Sequence, residues 1–138
     1  MEEKEERIKL LIADDDSSSL MELIHILQPE YRIYSVKDGM SALKKAEMSL
    51  PDIILLDVIM PNMSGFEVIT ELKKSDKTKN IPVIFITGDG IDSSESMGLS
   101  LGAADYIRKP FDPTVEKLRI RNQIHNINTQ NEKEETNA

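Results

Sequence analysis

Asp52-Ile-Ile-Leu-Leu-Asp57 is the stretch on which the fold turns. Four large aliphatic residues follow one another without polar alternation, the pattern of a strand buried on both faces. Such strands occur in parallel sheets covered by helices on either side. Working outward, Ile8-Lys-Leu-Leu-Ile-Ala13 and Ile81-Pro-Val-Ile-Phe-Ile86 are almost as continuously apolar. Tyr31-Arg-Ile-Tyr-Ser-Val36 alternates and reads as an edge strand, and Ala104-Asp-Tyr-Ile-Arg108 supplies a fifth. Helical patterns lie between them. Leu20, Leu23, Ile24 and Leu27 share one face of a helix ended by Pro29. Ala42, Leu43 and Ala46 mark a shorter, weaker helix. Phe66, Val68, Ile69 and Leu72 mark a third, Met97 with residues 99–101 a fourth ended by Gly102, and Ile120, Ile124 and Ile127 a fifth. Strand then helix, five times, predicts a three-layer α/β fold, a (βα)5 flavodoxin-like doubly wound parallel sheet in the order 2-1-3-4-5.

A chain of 138 residues is one ordinary domain, long enough to bury a core without disulfides. The expected organisation is a charged N-terminal extension over residues 1–7, one domain over 8–127, and a polar tail or linker start over 128–138. Seventeen basic against 25 acidic residues give a net charge of −8, which disfavours direct contact with nucleic acid or anionic lipid. There is no cysteine, so disulfides and thiolate metal sites are excluded. No apolar run has the length of a signal peptide or a membrane span. The expectation is a soluble, cytoplasmic domain with no membrane partner.

In open sheets of this kind ligands bind beyond the carboxyl ends of the strands, beside strands one and three. Strand one ends in Asp14-Asp-Asp16, strand three in Asp57, strand four in Thr87, and strand five runs into Lys109-Pro110. Carboxylates crowded into one cleft repel each other unless one is protonated or a cation joins them. Oxygen ligands at a partly hydrated site favour Mg²⁺. Lys109 can place its ammonium near Asp57, and Thr87 offers a hydroxyl. A carboxylate can attack phosphorus to give an aspartyl phosphate, and phosphoryl transfer needs chiefly positioning and charge neutralisation. No glycine-rich phosphate loop follows strand one, which counts against a dinucleotide- or FMN-type site. Taken singly these residues have plain readings. Asp16 and residues 17–19 form an N-cap cluster, Asp14 and Asp15 could cap as well, and Thr87 and Lys109 are ordinary surface types. Asp57 inside an apolar run is the residue that capping does not explain. His25 and His125 fall on predicted helices, and neither is read as a phosphoacceptor.

The motifs Leu11-Ile-Ala-Asp-Asp-Asp16, Leu55-Leu-Asp-Val-Ile-Met-Pro-Asn-Met-Ser-Gly65, Ile84-Phe-Ile-Thr-Gly88 and Leu101-Gly-Ala-Ala-Asp-Tyr-Ile-Arg-Lys-Pro-Phe111, in this order, resemble the receiver domain of bacterial two-component response regulators. The resemblance covers residues 8–127. It implies that Asp57 accepts a phosphoryl group from a sensor histidine kinase. It implies Mg²⁺ held by Asp14, Asp15, Asp57 and the Ile59 backbone carbonyl, with Lys109 and Thr87 on the phosphoryl oxygens. Tyr106 would be the switch aromatic that turns inward as Thr87 moves, and the Lys109-Pro110 bond is similar to one that is cis in the family. Implied partners are the kinase, a downstream output protein or domain, and a second copy through the fourth helix, fifth strand and fifth helix, where Val115 and Leu118 stand off the apolar face of the last helix.

Some positions depart from the family pattern. Gly88 stands where alanine or serine is usual, loosening the backbone beside Thr87. Ile59 and Asp89 occupy the two positions that influence attack of water on the acyl phosphate. A module that takes part in its own phosphorylation and dephosphorylation, without turning over other substrates, is therefore the first reading. An aspartyl-phosphate phosphohydrolase of the haloacid dehalogenase type is the second, weakened because Ile59 stands where its general acid belongs. A degenerate receiver acting as a scaffold is the third, weakened because a scaffold has no need of crowded carboxylates.

Overall fold

A computed structural model describes residues 7–88 and 92–137, with side chains except those of 92–95 and 130–137. The elements are β1 (Lys9–Ala13), α1 (Ser17–Leu27), β2 (Arg32–Val36), α2 (Gly39–Ser49), β3 (Ile53–Asp57), α3 (Gly65–Lys74), β4 (Val83–Thr87), α4 (Asp92–Ser100), β5 (Asp105–Arg108) and α5 (Pro113–Asn137). All neighbouring strands pair in parallel, in the order β2-β1-β3-β4-β5. The expected topology is therefore the observed one.

The apolar runs split by parity between two cores, as the period of a strand requires. Leu11, Ala13, Ile54, Leu56, Val83 and Phe85 face α2 and α3, where they meet Ala42, Ala46, Val68, Ile69 and Leu72. Leu10, Ile12, Ile53, Leu55, Ile84 and Ile86 face α1 and α5, meeting Leu20, Leu23, Leu27 and Ile120. β3 and β4 are buried along their whole length, and β2 is the half-exposed edge.

Helix starts are set by short polar side chains. Asp16 accepts from the Ser18 N–H (3.2 Å) and Asp38 from the Ser41 N–H (2.8 Å). Ser64 and Glu67 form a reciprocal capping box at α3. Gly102, at φ +103°, turns the chain after α4 in a left-handed conformation that suits glycine.

Two elements depart from expectation. β4 starts at Val83, not Ile81, because Pro82 has no N–H to give a ladder; its carbonyl instead accepts from Ile54 N–H at 3.0 Å. α2 is no shorter than α1, at 11 residues each. Its stability comes from good helix formers, Ala42, Leu43, Lys44, Lys45, Ala46 and Glu47, more than from a wide apolar stripe. The segment from residue 128, read as a polar tail or linker start, is helical as far as Asn137 as a continuation of α5. Glu132, Lys133, Glu134 and Glu135 are good helix formers there, and no residue of the segment supplies an apolar face. Among the described residues no helix is long and apolar enough to cross a membrane. Residues 1–6 of the charged extension lie outside the described residues.

Candidate functional site

The strand ends converge by register. Ala13 pairs with Leu56, Asp57 with Ile86, and Thr87 with Arg108. The loops after β1 and β3 therefore open on the same edge, with the end of β4 alongside. Backbone bonds hold the rim in place. Val58 N–H donates to the Ile86 carbonyl (3.2 Å) and Lys109 N–H to the Thr87 carbonyl (2.9 Å). Gly65 N–H donates to the Val58 carbonyl (2.8 Å), and a side-chain carbon at Gly65 would collide with the Asp57 carbonyl oxygen. α3 can begin against the end of β3 only because that position is glycine.

Asp14 is fully buried, Asp57 is 7% exposed and Thr87 3% exposed, whereas Asp15 is exposed. One carboxylate oxygen from each of Asp14, Asp15 and Asp57 lies within 4.8 Å of the others. Asp14 Oδ1 accepts from the Asp16 N–H at 3.0 Å. Asp14 Oδ2 is buried without a hydrogen-bond partner, although the Lys109 Nζ stands 3.4 Å away as an ion pair. A buried carboxylate oxygen left unbonded is costly. A divalent cation bound to oxygen ligands would satisfy it, so the donor set fits a hard cation such as Mg²⁺.

Burial pushes the Asp57 carboxyl up to about 7, helped by its hydrogen bond to Asp14 and by repulsion from that carboxylate. The Lys109 ammonium and the Ile59 N–H, 3.4 Å from Asp57 Oδ1, pull the other way. A carboxylate under this repulsion is one that a cation would ionise and leave free to attack.

The structure thus brings together Asp14, Asp15 and Asp57, with Lys109 among them. Sequence reasoning set Lys109 beside Asp57; its direct ion-pair partner is Asp14. The Lys109–Pro110 peptide is cis. Tyr106 is 7% exposed, its ring 6.0 Å from that of Phe85. Ile59 is 66% exposed at the mouth, while Asp89 lies outside the described residues. Asp16 caps α1, as expected, and its side chain also accepts from the Ser19 hydroxyl at 2.9 Å. His25 and His125 are exposed on α1 and α5. Sequence reasoning missed Gly98, which lies under Tyr106. A lone glycine inside a helical run was the available signal.

A doubly wound parallel sheet with a carboxylate cluster and a lysine at its switch point fits a phosphoacceptor domain. The chain belongs to the response regulator receiver domain family, whose model matches residues 10–121. It is 40% identical over 114 residues to the response regulator PleD of Caulobacter vibrioides, covering 82% of this chain and 25% of PleD. It is 36% identical over 114 residues to PhoP of Bacillus subtilis, the alkaline phosphatase synthesis transcriptional regulatory protein, covering 82% of this chain and 47% of that one. Among solved structures, the chemotaxis response regulator CheY4 of Vibrio cholerae matches with a TM-score of 0.79 at 30% identity, covering 85% of this chain and 98% of that one. The chain spans less than half the length of these curated relatives.

Proposed function

We propose that Asp57 accepts a phosphoryl group from the phosphohistidine of a sensor histidine kinase and that this modification changes what the domain binds. An Asp57 carboxylate oxygen attacks phosphorus, the phosphorus–nitrogen bond breaks, and the imidazole keeps the electron pair. Mg²⁺, held by Asp14, Asp15, Asp57 and the Ile59 carbonyl, would supply neutralisation of the phosphoryl oxygens. Lys109 contributes a second positive charge and Thr87 a hydroxyl donor to those oxygens. Tyr106, beside β4, reports the position of Thr87 to the α4-β5 surface. The observation that carries the reading is the unbonded Asp14 Oδ2 within a three-carboxylate cluster.

The test is intact mass after incubation with Mg²⁺ and a small phosphodonor such as acetyl phosphate. One phosphoryl group should add to the wild type and none to Asp57→Ala. Addition to Asp57→Ala, or addition undiminished by a metal chelator, would sink the reading.

Output belongs to partners. The chain matches segments of a histidine kinase, of PleD and of a transcriptional regulator, which supports use of this domain as an input module joined or docked to others. A cytoplasmic location follows from a kinase partner. Met97 and Leu99 on α4 and Val115 and Leu118 on α5 are exposed, which supports a homodimer through α4, β5 and α5. The site is built for a covalent switch more than for turnover, since Ile59 offers no acid to a departing alcohol.

Ile59 has its own consequence. An exposed aliphatic side chain at the cleft mouth orders water poorly, so the acyl phosphate should be long-lived. Ile59→Asn is expected to speed its decay several-fold, read by the loss of phosphorylated mass with time. An unchanged decay rate would remove Ile59 from the account.

A further inference from the structure

We propose that Gly98 is the positioning residue for Tyr106, the bare point on α4 that lets the tyrosine ring lie inward. Gly98 is buried in α4, and a side-chain carbon built on it would collide with the Tyr106 hydroxyl. The same carbon would stand 2.7 and 2.8 Å from Cδ2 and Cε2 of Phe85. Phe85 cannot retreat, because it is fully buried and edge-packed on Phe66, with ring centroids 5.3 Å apart at 84°. The Tyr106 ring, by contrast, has somewhere to go. A shallow surface concavity lies over β5, lined by Leu99, Ala104, Asp105, Arg108 and Arg119 together with Tyr106 itself. Of the groups that meet at this point, the tyrosine is the one that can move.

A glycine within a helix weakens it relative to alanine, so Gly98 needs a reason of its own. The slot supplies it. α4 gives up a side chain, and the space lets Tyr106 bury its ring against Phe85, with the hydroxyl over the Gly98 backbone. The size of residue 98 thereby sets how the ring divides between core and surface. The functional half of this inference rests on the proposed coupling between Asp57 and Tyr106. If an inward ring favours the modified state, narrowing the slot must weaken binding of a phosphoryl mimic by the fraction of inward ring lost.

The chain has three tyrosines, so 3-fluorotyrosine labelling gives three ¹⁹F lines, with that of Tyr106 assigned by its loss in Tyr106→Phe. In Gly98→Ala the Tyr106 line should move toward the free amino-acid position and become accessible to a soluble paramagnetic quencher. The lines of Tyr31 and Tyr34 should stay. With Mg²⁺ present, affinity for beryllofluoride, the phosphoryl mimic, should fall about tenfold in Gly98→Ala. It should not change when Gly98→Ala is made in a Tyr106→Ala background, where a merely structural effect of the substitution would persist. Should Gly98→Ala fail to fold alone, its recovery in that same background is the expected result, and continued failure there overturns the slot. A Tyr106 line that does not move also overturns it. A line that moves with beryllofluoride affinity unchanged overturns the coupling. Absence of beryllofluoride binding in the wild type overturns the phosphoacceptor reading and leaves the ¹⁹F result to judge the slot on its own.

Discussion

Asp57→Asn is expected to be more stable than the wild type in metal-free buffer at pH 8, and no more stable at pH 4. The Asp57 carboxyl is raised from 3.8 to about 7 in the folded chain. A carboxyl raised on folding holds its proton in the native state after the unfolded chain has released it. Unfolding then releases a proton, so stability falls as pH rises through the window between about 4 and 7 and is level above it. Asparagine does not ionise and escapes that loss. A rise of this size corresponds to at most about 4 kcal/mol, and screening by water at the cleft mouth reduces the expected gain to about 2 kcal/mol. Urea midpoints measured from pH 4 to pH 8 should diverge across the window. A constant difference at every pH would mean that ionisation of Asp57 is not what opposes folding. Adding Mg²⁺ should shrink the gap at pH 8, because a cation bound among the carboxylates stabilises the wild type preferentially. Asp57 is therefore a group whose charge the fold tolerates poorly and a bound cation would offset.

That tension was partly visible in the sequence. An aspartate closing a run of buried aliphatics at residues 53–56 announces a carboxyl with little water around it. The alternation of strands and helices, with right-handed crossovers, is enough to place residues 14, 57, 87 and 109 on one edge. Pattern reading could not say which partner Lys109 takes, because a lysine side chain spans several ångströms and the choice between Asp14 and Asp57 is made in three dimensions. Nor could it give α2 its full length, since good helix formers without an apolar stripe leave no periodic signal. Gly98 shows the same limit in reverse. Its meaning lies in Phe85 and Tyr106, neighbours in space from two other elements, and a glycine in a helix carries no hint of what fills its vacancy.

Lys109→Met should lower stability in metal-free buffer by about 2 kcal/mol and slow phosphoryl uptake by about a hundredfold, with only the first loss repaired by Mg²⁺. Methionine keeps the aliphatic stem and removes the ammonium, so packing is largely held constant. The ammonium stands 3.4 Å from a fully buried Asp14 oxygen that has no hydrogen bond. Removing it leaves a buried carboxylate with less compensation, which is strongly destabilising when no other cation is near. Mg²⁺ at a hundred times its dissociation constant would add about 2.7 kcal/mol through binding to the folded chain, which returns the variant to the stability of the metal-free wild type. Rate is a different matter. In the proposed reaction the lysine would supply charge to oxygens that gain it during transfer, and a single preorganised donor of this kind is worth about a hundredfold or more. Metal already bound among Asp14, Asp15 and Asp57 cannot also occupy the lysine's position. Lys109→Arg should rescue stability better than rate, because a planar guanidinium keeps the charge but not the compact ammonium geometry. If Mg²⁺ restored the Lys109→Met rate together with its urea midpoint, Lys109 would be a counter-ion for Asp14 and nothing more. The two substitutions thus push the metal-free chain in opposite directions, Asp57→Asn by relieving negative charge and Lys109→Met by stranding it. One cluster, whose charge is balanced only when a cation joins it, requires both signs.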